Sequence, residues 1–272
     1  MSAFVLSCTT CALRGAERDE ILACFSHAPA AGYKYWGLAG APLVHLGGAT
    51  WFDARRAREL ADRAGFEGCT EVYGPSFPTD SIAAAEDAAE DVARMFDVAA
   101  VMDSPLVVFS GGNREGAGGI EASIAGICKL LTLIEDGPVR MALEPHYNSR
   151  FMTRQDFDAI FAAIDDPRVG ITVDTGHFHS AGVDWKGLIC DYREKIYNIH
   201  LKDHEGTQSV PIGRGGIDLR GLIETLHEID YEGALAVELE VVDPENLPRY
   251  IVEAYNHLSG LVREVSGRPP AA

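Results

Sequence analysis

A chain of 272 residues has the length of one large domain or two small ones. Its 41 Asp and Glu against 23 Lys and Arg leave a net charge of −18, which offers no general attraction to a phosphate backbone, so no nucleic-acid partner is expected. Apolar residues at 47% and charged residues at 24% set disorder aside and supply material for a sizeable core.

The start, Met1-Ser-Ala-Phe-Val-Leu-Ser, lacks the basic n-region of a secretory signal, and its apolar run is short. No stretch approaches the ~18–20 apolar residues that span a bilayer. The expectation is a cytoplasmic protein without a membrane partner. Six cysteines (8, 11, 24, 69, 128 and 190) need not pair in a reducing compartment. Cys8-x-x-Cys11 stands alone, without the second pair of a four-thiolate zinc site, and most of the six are expected to be small buried residues.

In chain order, short β-rich runs alternate with longer amphipathic ones. Phe4–Cys8 is followed by a helical stretch at 17–27, Tyr33–Gly37 by 53–65, Cys69–Tyr73 by 81–102 and Pro105–Phe109 by 119–136. Val139–Leu143 then precedes 154–165, Val169–Val173 precedes 184–194, Ile196–Leu201 precedes 219–229, and Ala234–Leu239 precedes 244–264. Thr153 through Asp156, and Asp218, read as helix starts. The glycine clusters at 37–40, 47–48, 111–112 and 118–119 read as loops.

Eight βα pairs demand parallel strands with helices outside. At about 34 residues per pair they predict a single (β/α)₈ TIM barrel over 1–266, followed by a frayed tail at 267–272. The rival open doubly wound sheet wants a Gly-rich phosphate turn after the first strand, and Thr9-Thr-Cys-Ala-Leu-Arg-Gly is not one.

In such a barrel the reactive groups sit where strands end. Strand five closes on Glu144-Pro-His146, strand six on Asp174-Thr-Gly-His177, strand seven on His200-Leu-Lys202 and strand eight on Glu238-Leu-Glu240. The spacings of 30, 26 and 38 residues each match one βα pair, so Glu144, Asp174, His200 and Glu238 should meet at one rim. Three carboxylates and an imidazole would repel or strand one another without a cation between them. The donor set suits one hard or borderline divalent ion, Mn²⁺ first, with Mg²⁺, Co²⁺ and Zn²⁺ as the other candidates. Asp174 alone reads equally well as a helix N-cap. Glu238 and Glu240 share a face of the strand, so either serves as the last ligand. By the same alternation His146 follows Glu144 and Lys202 follows His200, which points them at whatever the ion holds, as proton carrier and oxygen clamp. Pairing with a neighbouring carboxylate is the plainer reading of Lys202. His179 and His204 read as rim residues.

Leu143-Glu-Pro-His-Tyr-Asn, Val173-Asp-Thr-Gly-His, Ile199-His-Leu-Lys-Asp and Gly233-Ala-Leu-Ala-Val-Glu resemble the xylose-isomerase-like TIM-barrel superfamily, and within it the sugar phosphate isomerase/epimerase family. Its members include ketose 3-epimerases, inosose dehydratases and the metal subunit of C-glycoside deglycosidases. The resemblance implies metal ligands at Glu144, Asp174, His200 and Glu238, proton transfer by Glu144 and Glu238, and a substrate-side histidine at His177. It implies an isomerase or epimerase that deprotonates next to a ketone of a sugar, cyclitol or oxidised glycoside, through an enediolate stabilised by the cation. The alternative is a lyase with the same centre, since His146 and Lys202 depart from the two-glutamate pattern and look closer to eliminating relatives. A second subunit belongs with that alternative, and homo-oligomers stay open. Arg214 is a candidate clamp for an anionic substrate group. A sugar-binding barrel without chemistry is the third reading.

Overall fold

Eight parallel strands close on themselves in the computed structural model, which describes residues 4–39, 52–134 and 137–271. They are β1 (Val5–Thr9), β2 (Tyr35–Leu38), β3 (Gly68–Tyr73), β4 (Leu106–Ser110), β5 (Arg140–Glu144), β6 (Val169–Asp174) and β7 (Ile196–Leu201). After a hairpin of β8 (Asp203–Glu205) and β9 (Gln208–Val210), β10 (Ala234–Val237) completes the ring between β7 and β1. The single (β/α)₈ barrel expected from the sequence is the observed fold. Its strands are near-continuous apolar runs because a parallel sheet is covered on both faces.

The outer layer is built from α1 (Glu20–Ala31), α2 (Ala54–Ala64), α3 (Ile82–Met102), α4 (Gly119–Leu133) and α5 (Arg154–Ala163), then α6 (Thr175–Ser180), α7 (Trp185–Asp191), α8 (Leu219–Glu228) and α9 (Leu247–Ser266). Side-chain oxygens of Asp19, Asp53, Ser81, Thr153, Asp184 and Asp218 accept backbone N–H bonds at helix starts. Such caps satisfy amides the helix itself leaves unpaired. Gly32 closes α1 at φ 110°, and a Cβ there would also lie 2.7 Å from the Tyr255 ring. Only glycine satisfies both demands.

Among the described residues, three elements were not anticipated: a 3₁₀ turn at Thr10–Leu13 directly after β1, the six-residue α6, and the β8–β9 hairpin. The glycines expected in loops at 40, 47 and 48, and the end of the helix expected to reach 136, lie outside the described residues. The tail expected to fray is tied down at Ala271, whose N–H bonds Phe4 O at 2.8 Å and which bridges to Val5. Pro269 and Pro270 favour the extended backbone that reaches the open start of β1.

Register sets the level of the rim. Asp174 of β6 pairs with His200 of β7, and His200 pairs with Ala236 of β10. Glu144 of β5 stands opposite Ser110 of β4. The residues that close these strands therefore emerge together at the C-terminal mouth, the face where TIM barrels carry their chemistry.

Candidate metal centre and active site

Glu144, Asp174, His200 and Glu238 arrive from β5, β6 and β7 and the residue after β10 with one ligand atom of each within 4.8 Å of all the others. All four are buried. His200 Nδ1 lies 2.5 Å from Glu144 Oε1 and 3.0 Å from Glu238 Oε2. Asp174 shows that its two sequence readings are compatible. Its Oδ1 accepts the His177 amide at 2.7 Å and caps α6, while Oδ2 turns into the cluster.

Buried carboxylates outnumber the cationic groups here. Beside the three ligand carboxylates, Glu71 of β3 is fully buried, its Oε2 lies 2.7 Å from His200 Nε2, and it accepts the Asn198 side-chain amide. Lys202 answers several of these charges. Its Nζ lies 3.0 Å from Asp174 Oδ2, 3.2 Å from Glu238 Oε2 and 3.0 Å from Glu240 Oε2, and the residue is 1% exposed. Among the described residues, Asp174 Oδ2 and Glu238 Oε2 nonetheless lack a well-directed hydrogen bond. The oxygens left over belong to the candidate ligand set, and an oxygen-rich set with one imidazole fits a divalent cation. Glu238 sits in this set, whereas Glu240 contacts Lys202 from the rim.

The surrounding charges hold these groups in fixed states. Burial alone would push the His200 imidazole down, but the carboxylates of Glu71, Glu238 and Glu144 hold it well above its ordinary range. Burial likewise opposes the Lys202 ammonium, and Asp174, Glu238 and Glu240 overcome it. Burial would raise Glu238, yet Lys202 and His200 keep it well below the usual carboxylate range.

Above the cluster opens a cavity of about 160 Å³ whose walls include Glu144, His146, His177, Lys202 and Glu238. The sequence-predicted His146 is exposed and lies over the His177 ring with centroids 3.9 Å apart. His177 Nε2 stands 3.2 Å from Lys202 Nζ, and burial with that neighbouring ammonium pushes its pKa down to about 3, leaving a neutral imidazole. Arg214 is not brought to this cavity. It is exposed, pairs with Glu253 of α9 at 2.5 Å and lies over the Tyr250 ring. Arg14, at the end of the 3₁₀ turn and paired with Glu20, lines the cavity instead.

Cys11, Tyr73 and Glu71 escaped sequence reasoning as site residues. The Cys11 thiol donates to Glu238 Oε1 at 3.0 Å, and burial together with Glu238 pushes that thiol well up, so it stays a protonated donor. The Tyr73 hydroxyl donates to Glu144 Oε2; burial first and then Glu144 raise its pKa well above normal. A polar face was visible in Cys69-Thr-Glu-Val-Tyr, where an acid and a phenol stand two apart in an apolar run. The local cause was not: Trp36 pairs with Cys69 but Gly37 with Glu71, so Thr70 is a bulge. Beyond the bulge, Glu71 meets β7 and Tyr73 meets β5 across the barrel.

A second compartment of about 350 Å³ shares His177 and Glu240 with the first, and Tyr147, Ser180, His204, Thr207 and Ser209 complete its lining. The β8–β9 hairpin forms its outer wall. His204, read as a rim residue, is 5% exposed, with Nδ1 3.1 Å from Ser180 Oγ. His179 is half-buried.

Residues 25–260 match the family model described as xylose isomerase-like TIM barrel. The chain belongs to that family. By sequence it is 28% identical over 135 residues to an inosose dehydratase of Clostridium beijerinckii, covering 42% of this chain and 45% of that protein. The chain thus spans about half the length of the curated relatives it matches. Among solved structures it superposes on an IolI protein with a bound zinc atom at a TM-score of 0.79, 19% identity, covering 96% of this chain and 99% of that one. A D-tagatose 3-epimerase-like protein gives a TM-score of 0.76 at 20% identity, covering 97% and 98%. At those identities the structural likenesses establish the fold shared with this family member. No helix among the described residues is long and apolar enough to cross a membrane.

Proposed function

We propose that this chain is a divalent-metal-dependent enzyme that withdraws a proton from the carbon next to a ketone of a sugar, a cyclitol or an oxidised glycoside, and returns one as an isomerase or epimerase. The observation that carries it is the buried Glu144, Asp174, His200, Glu238 cluster opening into a cavity walled by His146, His177 and Lys202. A cation held by those four residues, Mn²⁺ in our reading of the oxygen-rich set, supplies a Lewis acid that steadies the charge left when the α-proton departs. The protein's own groups do the rest. Glu144 and Glu238 carry the proton, and the Tyr73 hydroxyl and Cys11 thiol fix their orientation. The Lys202 ammonium offers its protons to a substrate oxygen. The neutral His177 takes a hydroxyl, and His146 exchanges protons at the solvent side. In this reading Arg14, which lines the cavity, takes over from Arg214 as the candidate partner of a polar or anionic substrate group.

A second reading, elimination, is favoured by the relatives named inosose dehydratase and by His146, which could protonate a leaving group from a wall apart from the glutamates. Keto-sugars, inososes and 3-oxo-glycosides followed by NMR in deuterated water decide between the two. Deuterium entering the α-carbon of recovered or epimerised substrate supports the first reading; loss of water or aglycone supports the second. Neither event across the panel, with metal added, would count against both and leave a sugar-binding barrel.

A further inference from the structure

Glu71 is fully buried, lies outside the set lining the cavity, and yet touches the one imidazole of the cluster. Its Oε2 serves His200 Nε2 and the Asn198 amide, while Oε1 has no hydrogen-bond partner among the described residues. An acid held this deep weighs against stability unless something else retains it. The chain also makes room for it. A Cβ at Gly37 would fall 2.5 Å from Glu71 Oε1, and the Thr70 bulge is what turns Glu71 across the barrel.

Imidazole offers a cation one lone pair only when its proton sits on the other nitrogen. His200 Nδ1 faces Glu144 and Glu238; Nε2 faces Glu71. A carboxylate accepts and never donates, so it demands a proton on Nε2. Asn198 stands two residues before His200 on the same face of β7 and holds Glu71 in place. We propose that Glu71 is a positioning residue that locks His200 in the Nε2–H tautomer, with Nδ1 as its ligating atom, and that Asn198 steadies Glu71 in that task. This rests on the metal centre proposed above.

Zinc is the probe, because it is diamagnetic. In zinc-loaded protein carrying ¹⁵N-histidine, His200 should show its proton on Nε2 and a metal-shifted Nδ1. Competition against a chromophoric chelator should show Glu71→Gln binding zinc about 10–100-fold more weakly, since an amide can turn its NH₂ toward Nε2 and favour the wrong tautomer. Asn198→Ala should lose less. Melting temperatures of each variant report whether it folds; a purely structural Glu71 would lower melting and leave the tautomer and zinc affinity alone. Wild type that binds no zinc would overturn the metal centre and this inference together. Wild type that binds zinc, with folded Glu71→Gln binding it equally well through Nδ1, would overturn this inference alone.

Discussion

A carboxylate has two oxygens, and at this site nearly every one of them is assigned. Asp174 divides its pair between the α6 amide and the cluster, Glu144 between the cluster and Tyr73, Glu238 between the cluster and Cys11. Sequence reasoning posed helix cap and metal ligand as rivals for Asp174, because one letter cannot show that both oxygens are used. The strand-end residues were legible through their spacing; the groups holding their outer oxygens were not, since Cys11 sits in the 3₁₀ turn after β1, Tyr73 ends β3, and neither stands in a pattern that points to this role. Replacing Glu144 by Gln keeps the shape and removes the charge. It is expected to weaken metal binding and to lower turnover by about 10²–10⁴-fold, as for loss of a proton-transfer group, read by chelator competition and steady-state kinetics. Tyr73→Phe leaves Glu144 Oε2 buried without its donor, at a cost of about 1–3 kcal/mol. The expected outcome is a lower kcat with the fold intact by circular dichroism.

At the scale of elements, the barrel was legible because each buried strand is a compact apolar run and each helix an amphipathic one. The β8–β9 hairpin was not, because Asp203–Val210 is short and polar, with Gly206 at φ 62° making its turn. The start of α5 was read from Thr153 and Asp156, and there the structure adds a partner. Asp156 closes a capping box with Thr153 and receives Arg114 Nη1 at 2.8 Å from the loop before α4. Burial would raise this acid, but Arg114 and the Thr153 and Met152 amides hold it below its ordinary value. A depressed folded-state pKa contributes stability above the unfolded value near ~3.9 and loses it as pH falls through the folded one. Asp156→Ala is expected to cost about 2–4 kcal/mol at pH 7, from the lost cap and the charged bonds. Urea melts of mutant and wild type should converge as the pH drops below about 4.

For the whole molecule, a cation held at the proposed centre would be part of the folded state and would have no equal site in the unfolded one. Ligand at about 100 times its dissociation constant adds about 2.7 kcal/mol to stability. Mn²⁺ at that level should raise the melting temperature by about 5–10 °C, and a chelator should reverse it. The same addition to a Glu144→Gln, Asp174→Asn double variant should do much less. A melting temperature that ignores Mn²⁺, Zn²⁺ and chelator alike would remove the basis for a metal centre. The charge of −18 was visible from the first, but its distribution was not; part of it is gathered inside the barrel mouth, where Lys202 answers only a share.

Asp174 also behaves as a lever. One end is pinned to the first turn of α6 and the other to the carboxylate–imidazole cluster, and α6 carries His177 into the cavity and borders the compartment behind it. Loading the proposed centre is therefore expected to stiffen the cavity wall that carries His177 as well as its floor. The His177 amide, bonded to Asp174 Oδ1 at 2.7 Å, becomes a built-in occupancy gauge: its hydrogen exchange should slow when Zn²⁺ is added, well before any substrate is present.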